Sequence, residues 1–293
     1  MSKANTSHAL LSALAVSATL AVSSTLLAAP LDPPDDSPRI SGPPVGASPD
    51  DAGSESDTAS GAPSAEESLA LPYTLSPRIN RAAAFARVVA GYDGAVESAV
   101  ARSAAEARVL SFLSVRVDYE HGPGMGPDDR LGFGARAQLL NAEDHGIDAG
   151  VGLFYQPNDF REEGHVAAAL MLGRYFGRMG VFANAQFGAD PEADDAAFEG
   201  RLAALYRASD ALRVGWDTRI RYNMSEDEKR AGTLARDWEL QSLPSLSYSI
   251  GSVSFVAEAG LSALQQTGPF GTDQEETTTD LGVVALAGAG GAF

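Results

Sequence analysis

Leu212 to Tyr222 reads LRVGWDTRIRY, and its side chains sort into two sets with a period of two. Leu212, Val214, Trp216, Ile220 and Tyr222 fall on one face, against Arg213, Asp217, Arg219 and Arg221 on the other. Successive side chains of a strand point to opposite faces, so this pattern specifies a strand with one apolar and one charged face.

The same period recurs on both sides. Toward the N-terminus, Leu113, Val115, Val117 and Tyr119 alternate with Ser114, Arg116, Asp118 and Glu120, and Leu131, Phe133, Ala135, Ala137 and Leu139 with Gly132, Arg136 and Gln138. Ile147, Val151, Leu153 and Tyr155 oppose Asp148 and Gln156; Val181, Ala183, Ala185 and Phe187 oppose Asn184 and Gln186; Phe198, Leu202 and Tyr206 oppose Glu199 and Arg201. Toward the C-terminus, Trp238, Leu240, Leu246 and Tyr248 oppose Glu239 and Gln241, and Val253, Phe255 and Ala257 oppose Ser254 and Glu258. Leu281, Val283, Ala285 and Ala287 lead to the terminal Phe293. Between Val166 and Phe176 both phases are apolar, which predicts a strand without fixing its facing. The sum is about ten strands of about ten residues. A strand of that length, tilted by about 45°, spans the roughly 25 Å apolar band of an outer membrane, whereas soluble strands run nearer five or six residues.

The connections alternate in length. HGPGMGPDD, PNDFREEG, ADPEADDA, NMSEDEKRAGTLA and QTGPFGTDQEETTT are long and mostly acidic; those around 141–146, 177–180, 209–211 and Gly251 are short. A soluble β-sandwich, the competing fold, has no reason to gather its long loops at one end. From Leu110 to Phe293 the chain resembles the general Gram-negative outer-membrane β-barrel class, whose members have even strand numbers, long outside loops and short periplasmic turns. The resemblance implies an all-β, antiparallel transmembrane barrel over 110–293. It also implies that Phe293 serves as a C-terminal assembly signal. Outer-membrane lipid, lipopolysaccharide and the barrel-assembly machinery are then the expected partners.

The rest of the chain sets the context. Lys3 and an apolar stretch from Ala9 to Ala29 predict a signal peptide over 1–29, and Ala28 and Ala29 offer small residues for cleavage. Residues 30–77 are dominated by Pro, Gly, Ser, Asp and Glu, which predicts a disordered acidic linker. Over 78–109, Phe85, Val89, Tyr92, Val96 and Val100 recur every three or four residues among alanines, which predicts a helical segment. Linker and helix are expected in the periplasm. The 39 acidic against 21 basic residues, a net charge of −18, argue against nucleic-acid binding. The absence of cysteine excludes disulfides, thiolate metal sites, cysteine nucleophiles and a lipid-bearing N-terminal Cys.

The polar strand faces should meet in the lumen. Arg116, Arg136, Arg201, Arg213 and Arg219 would there face Asp118, Asp148, Glu199, Asp217, Glu239 and Glu258. Charges in a narrow, low-dielectric space tend to pair. A packed charge network with a structural or surface-interaction role is therefore the first expectation, and a narrow diffusion pore the alternative. An outer-rim hydrolase is the second alternative. Omptin proteases, also ten-stranded, use acids and a His near the outer rim, and Asp128, Asp129, Asp144 and His145 are of the right types. Yet the turn holding His145 belongs to the end opposite Asp128, and an acid and base must lie within hydrogen-bond reach. His121 with Glu120, and His165 with Asp159, Glu162 and Glu163, are the residues suited to a divalent metal. Asp190, Glu192 and Asp194 imitate part of a calcium loop, but Asp195 stands where an EF-hand needs Gly. No catalytic set, metal site or cofactor is assigned.

Overall fold

The computed structural model describes residues 70–71, 73–79, 82–122, 129–157, 164–191, 196–224, 235–268 and 276–293. Twelve strands form one closed antiparallel barrel. They are β1 (Ala84–Asp93), β2 (Ser98–Leu110), β3 (Leu113–His121), β4 (Asp129–Leu140), β5 (Asp148–Gln156), β6 (His165–Phe176), β7 (Met179–Ala189), β8 (Ala196–Arg207), β9 (Leu212–Asn223), β10 (Ala235–Ile250), β11 (Val253–Gly268) and β12 (Glu276–Ala292). Each strand pairs with its neighbours in sequence, and β1 closes the ring on β12 from Phe85 opposite Ala292 to Asp93 opposite Val284. Closure removes every sheet edge, so backbone groups are satisfied without water.

The two ends differ. At one, the connections are 111–112, 141–147, 177–178, 208–211 and 251–252, with a single helical turn, α1 (Ala142–His145), in the second. At the other lie the turn 94–97 and the connections 122–128, 157–164, 190–195, 224–234 and 269–275. The expected segregation of long and short connections is therefore present. Phe293 ends the chain at the short-turn rim, where its backbone N–H donates to the Ala84 carbonyl at 2.9 Å and its ring stays exposed.

Burial is inverted relative to a soluble protein. Leu281 is 78 % exposed and Leu261 68 %, whereas Arg136 is 2 % exposed and Asp217 fully buried. Exposed apolar side chains recur on the outer face of β3–β12, among them Val115, Phe133, Leu153, Leu170, Trp216 and Phe255. An apolar belt around a polar interior is the arrangement a lipid bilayer selects.

Three expectations change. The strand count is twelve rather than about ten, and the barrel starts at Ala84 rather than at Leu110. The predicted helix over 78–109 is instead β1, β2 and the end of an inserted segment. On β2 the inward set is Val100, Arg102, Ala104 and Glu106, while Ala99, Ala101, Ala105 and Ala107 fill alternate outward positions. Alanine has the highest helix propensity, but propensity is a weak preference that pairing with β1 and β3 overrides. Finally, residues 70–71 and 73–77, assigned to the linker, are docked inside the barrel. The signal-peptide prediction and linker residues 30–69 lie outside the described residues.

Candidate functional site: a plugged lumen beneath an arginine-rich vestibule

The described residues of segment 70–79 start in the short-turn half of the lumen, reach its middle and turn back. Ala70 and Leu71 pack with Phe182, Ala203 and Leu205, near the short-turn ends of β7 and β8. Tyr73 and Leu75 reach mid-lumen, and the Ile79 N–H returns to the Gln138 side chain at 3.3 Å, close to the end of β4. Three apolar patches on the wall receive it. Leu71 joins the Phe182 patch, Tyr73 packs among Val89, Val100, Leu243, Val284 and Leu286, and Leu75 meets Phe154, Ala167, Ala169 and Met171. Burying a leucine side chain contributes about 1.5–3 kcal/mol. Glycines make room where backbones approach closely. A Cβ on Gly150 would sit 3.0 Å from the Pro77 carbonyl oxygen, and one on Gly173 3.0 Å from Pro77 Cδ.

Inside a barrel this segment has no strand partner for its backbone, and an unpaired buried N–H or C=O is costly. Wall side chains take over that role. Asp217 accepts from the N–H groups of Tyr73 and Thr74 at 2.8 and 2.9 Å and from Thr74 Oγ1 at 2.6 Å. Asn184 accepts from the Leu75 N–H at 2.7 Å and donates to its carbonyl at 2.9 Å, an imitation of a strand pairing. Arg201 donates to the Tyr73 carbonyl at 2.8 Å, and Ser245 to that of Ala70 at 3.1 Å. Arg87 and Arg136 donate to the carbonyls of Leu71 and Ser76. Arg78 forms a 2.7 Å ion pair with Asp148.

Tyr73 is the keystone of the insertion. The guanidinium carbons of Arg102 and Arg219 lie 4.2 and 4.3 Å from its ring centroid, a double cation–π contact. Its hydroxyl donates to Gln241 and accepts from Arg102. Gln241 in turn donates to Asp93 at 2.6 Å, and Asp93 accepts from Ser262 at 2.5 Å.

Most of the predicted lumen residues face inward, and they form three kinds of contact. Arg116 pairs with Asp118 at 2.6 Å, Arg201 with Glu199 at 2.7 Å and Arg219 with Glu239 at 3.2 Å, all pairs between predicted members. Arg136 instead meets Glu106 at 2.6 Å, a residue hidden from sequence reasoning by the helical assignment. Asp148 and Asp217 serve the inserted segment, as described above. Arg213 donates to Ser249 at 3.2 Å, and the buried Glu258 carboxylate makes no hydrogen bond among the described residues. Glu120, on the predicted inward face but outside the expected network, accepts from Arg102 at 3.1 Å and Arg219 at 3.2 Å.

Above Tyr73 and Leu75, toward the long loops, the lumen opens into a cavity of about 110 Å³. Seven arginines but only three carboxylates (Asp118, Glu120 and Glu199) line it, together with Gln156, His165 and Gln186. His165 turns inward against Gln156 at 3.2 Å, while His121 pairs with Asp129 at 2.7 Å. The two histidines therefore take different partners, and no cluster of three or more metal-binding side chains occurs among the described residues. Asp144 and His145 sit in α1 at the short-turn end, opposite Asp129. Asp128, Asp159, Glu162, Glu163, Glu192, Asp194 and Asp195 lie outside the described residues.

No protein-family model matches the chain, and no curated protein does. Among solved structures it is similar to the NanC porin, at 10% identity over 71% of this chain and 99% of that one, with a TM-score of 0.51. Lower similarity relates it to the outer-membrane channel DcaP of Acinetobacter baumannii (12% identity, 67% of this chain and 63% of that one, TM-score 0.38). An anion-selective porin from Comamonas acidovorans is alike at 12% identity, 66% and 59% coverage and TM-score 0.37. The chain spans less than two thirds of the length of these last two. The apolar belt, the closed antiparallel ring and the match to nearly the whole NanC barrel together give this chain the fold of an outer-membrane β-barrel.

Proposed function

We propose that this protein is a channel-type barrel of the Gram-negative outer membrane, held closed by its own segment Ala70–Ile79. One observation carries the proposal: wall side chains satisfy the carbonyls of Ala70, Leu71, Tyr73, Leu75 and Ser76, so the lumen is built to hold this peptide. A purely structural barrel would fill its interior with wall side chains and would need no such seat. The long loops face the outside and the N-terminal region enters from the periplasm, following the loop asymmetry of the class. Barrel-assembly machinery, lipid and lipopolysaccharide are its partners in this setting.

Conductance in planar bilayers tests the closed state. The refolded parent should pass almost no current, and deletion of residues 70–79 should produce steady ohmic steps. Asp217→Ala, which leaves the strands intact but removes the acceptor for Tyr73 and Thr74, should give intermittent openings. Steady conductance in the parent would leave the narrow-pore alternative standing instead. Orientation is tested separately, with epitope tags at Asp194 and Glu228 reactive on intact cells and one at Ser209 only after permeabilisation. The reverse labelling would overturn the topology.

A further inference from the structure

The vestibule differs from the rest of the lumen in its charge. Along the plug, Arg78, Arg136, Asp148 and Asp217 are matched with each other, with Glu106 or with backbone; seven arginines, four of which (Arg87, Arg102, Arg201 and Arg219) also touch the plug, line the vestibule against three carboxylates. Arg221 shows the imbalance at atomic level. It is 6 % exposed, its Nε lies 3.3 Å from Glu199, and its Nη1 makes no hydrogen bond, only long ion pairs of 3.9 and 4.0 Å with Glu239 and Glu120. An arginine with a buried nitrogen that makes no hydrogen bond, on the wall of a cavity where arginines outnumber carboxylates, is the complement of an oxyanion. The volume suffices, since one water needs on the order of 10–15 Å³ on the same measure.

We propose that the vestibule binds a small dissolved oxyanion, a phosphate or carboxylate, and that this anion competes with the plug for the same arginines. The barrel wall separates the cavity from lipid, so the source is a dissolved solute. Arg201, Arg219 and Arg102 line the cavity and also hold Tyr73, the first through its carbonyl and the other two through its ring. An anion that draws these forks upward weakens the hold on Tyr73. By linkage, a docked Tyr73 weakens the anion by the same factor. This deepens the closed-channel proposal and rests on it for the coupling, though not for the binding.

Calorimetry on the full chain refolded in zwitterionic micelles, with inorganic phosphate titrated at constant ionic strength, tests both halves. The parent should bind saturably at one site. Arg221→Gln should weaken binding by about tenfold, the loss of one charge-assisted hydrogen bond, and Arg221→Lys by less, because charge remains but the planar fork is gone. Tyr73→Ala should bind several-fold more tightly than the parent. Each variant is first shown to migrate as a folded barrel on an unheated gel. Absence of saturable binding in both the parent and Tyr73→Ala, or equal affinity in both Arg221 variants and the parent, overturns the site. Equal affinity in parent and Tyr73→Ala overturns the competition. Failure of the plug itself shows elsewhere, as unchanged conductance after deletion of residues 70–79, and leaves the Arg221 result to judge the site alone.

Discussion

The two halves of the lumen solve the same electrostatic problem in different ways. In the short-turn half, Arg136 is matched with Glu106, Arg78 with Asp148 and Asp217 with the Tyr73 and Thr74 backbone, and three apolar patches exclude water around them. In the long-loop half the same kinds of side chain line a cavity with arginine in excess. Charged groups survive in a dry interior only when paired and hydrogen-bonded, whereas a wet one tolerates a surplus. The difference marks where the barrel is filled and where it is left open.

The largest effect that would test this contrast comes from breaking one ion pair in each half. Arg136 is 2 % exposed and also donates to the Ser76 carbonyl, so Arg136→Ala leaves that carbonyl unpaired and leaves Glu106 in a dry site with Arg116 alone, at 3.4 Å. That should cost about 3–5 kcal/mol in urea unfolding of the refolded barrel. Asp118→Ala removes the nearer of the two carboxylate partners of Arg116, at the vestibule, where the Asp118 side chain is 36 % exposed and Glu106 still holds Arg116 at 3.4 Å. Its cost should fall in the range of about 0–1 kcal/mol. Similar costs for the two would mean that the halves do not differ in hydration, and the division drawn above would fail.

The same contrast explains what the sequence shows and what it hides. Strands β3–β5 and β7–β11 alternate clearly because lipid demands apolar residues outside while the lumen wall carries Arg, Asp, Glu, Asn and Gln inside. Alternation fades in β1, β6 and parts of β12. In β1, Phe85 and Val89 point inward while Val88 and Tyr92 point outward; in β6, Ala167, Ala169 and Met171 point inward opposite Val166 and Leu170. These inward apolar positions are seats for the plug: Val89 and Val284 meet Tyr73, and Met171 meets Leu75. Where the wall receives the plug's apolar side chains it is apolar on both faces, so the period of two is lost there, whereas the strands that hold the plug's backbone keep it. The plug had a faint signal of its own. Leu71, Tyr73 and Leu75 alternate at the end of a linker that is otherwise almost free of large apolar residues. Its destination depends on contacts 109 to 175 residues away, such as Leu75 with Asn184 and Ala70 with Ser245, which no local pattern encodes.

The smallest expected effect compares two glycines on the inner wall. At Gly173, in the plugged half, an added Cβ would come within 2.8 Å of Phe182 Cδ1 and 3.0 Å of Pro77 Cδ. Phe182 is itself held edge-on against Tyr175 at 5.3 Å, so neither neighbour yields freely. At Gly132, in the vestibule, the first atom met is Gln156 Cγ at 3.5 Å, an ordinary contact with a flexible side chain. Overpacking of a filled core costs about 1–3 kcal/mol, and a single methyl belongs at the lower end. Gly173→Ala should therefore lower stability by about 1 kcal/mol and make residues 77–79 more accessible to protease added from the short-turn side. Gly132→Ala should change neither property. Equal protection of residues 77–79 in the two variants would mean that Pro77 is not seated against the wall, and the filled half would have to be redrawn without it.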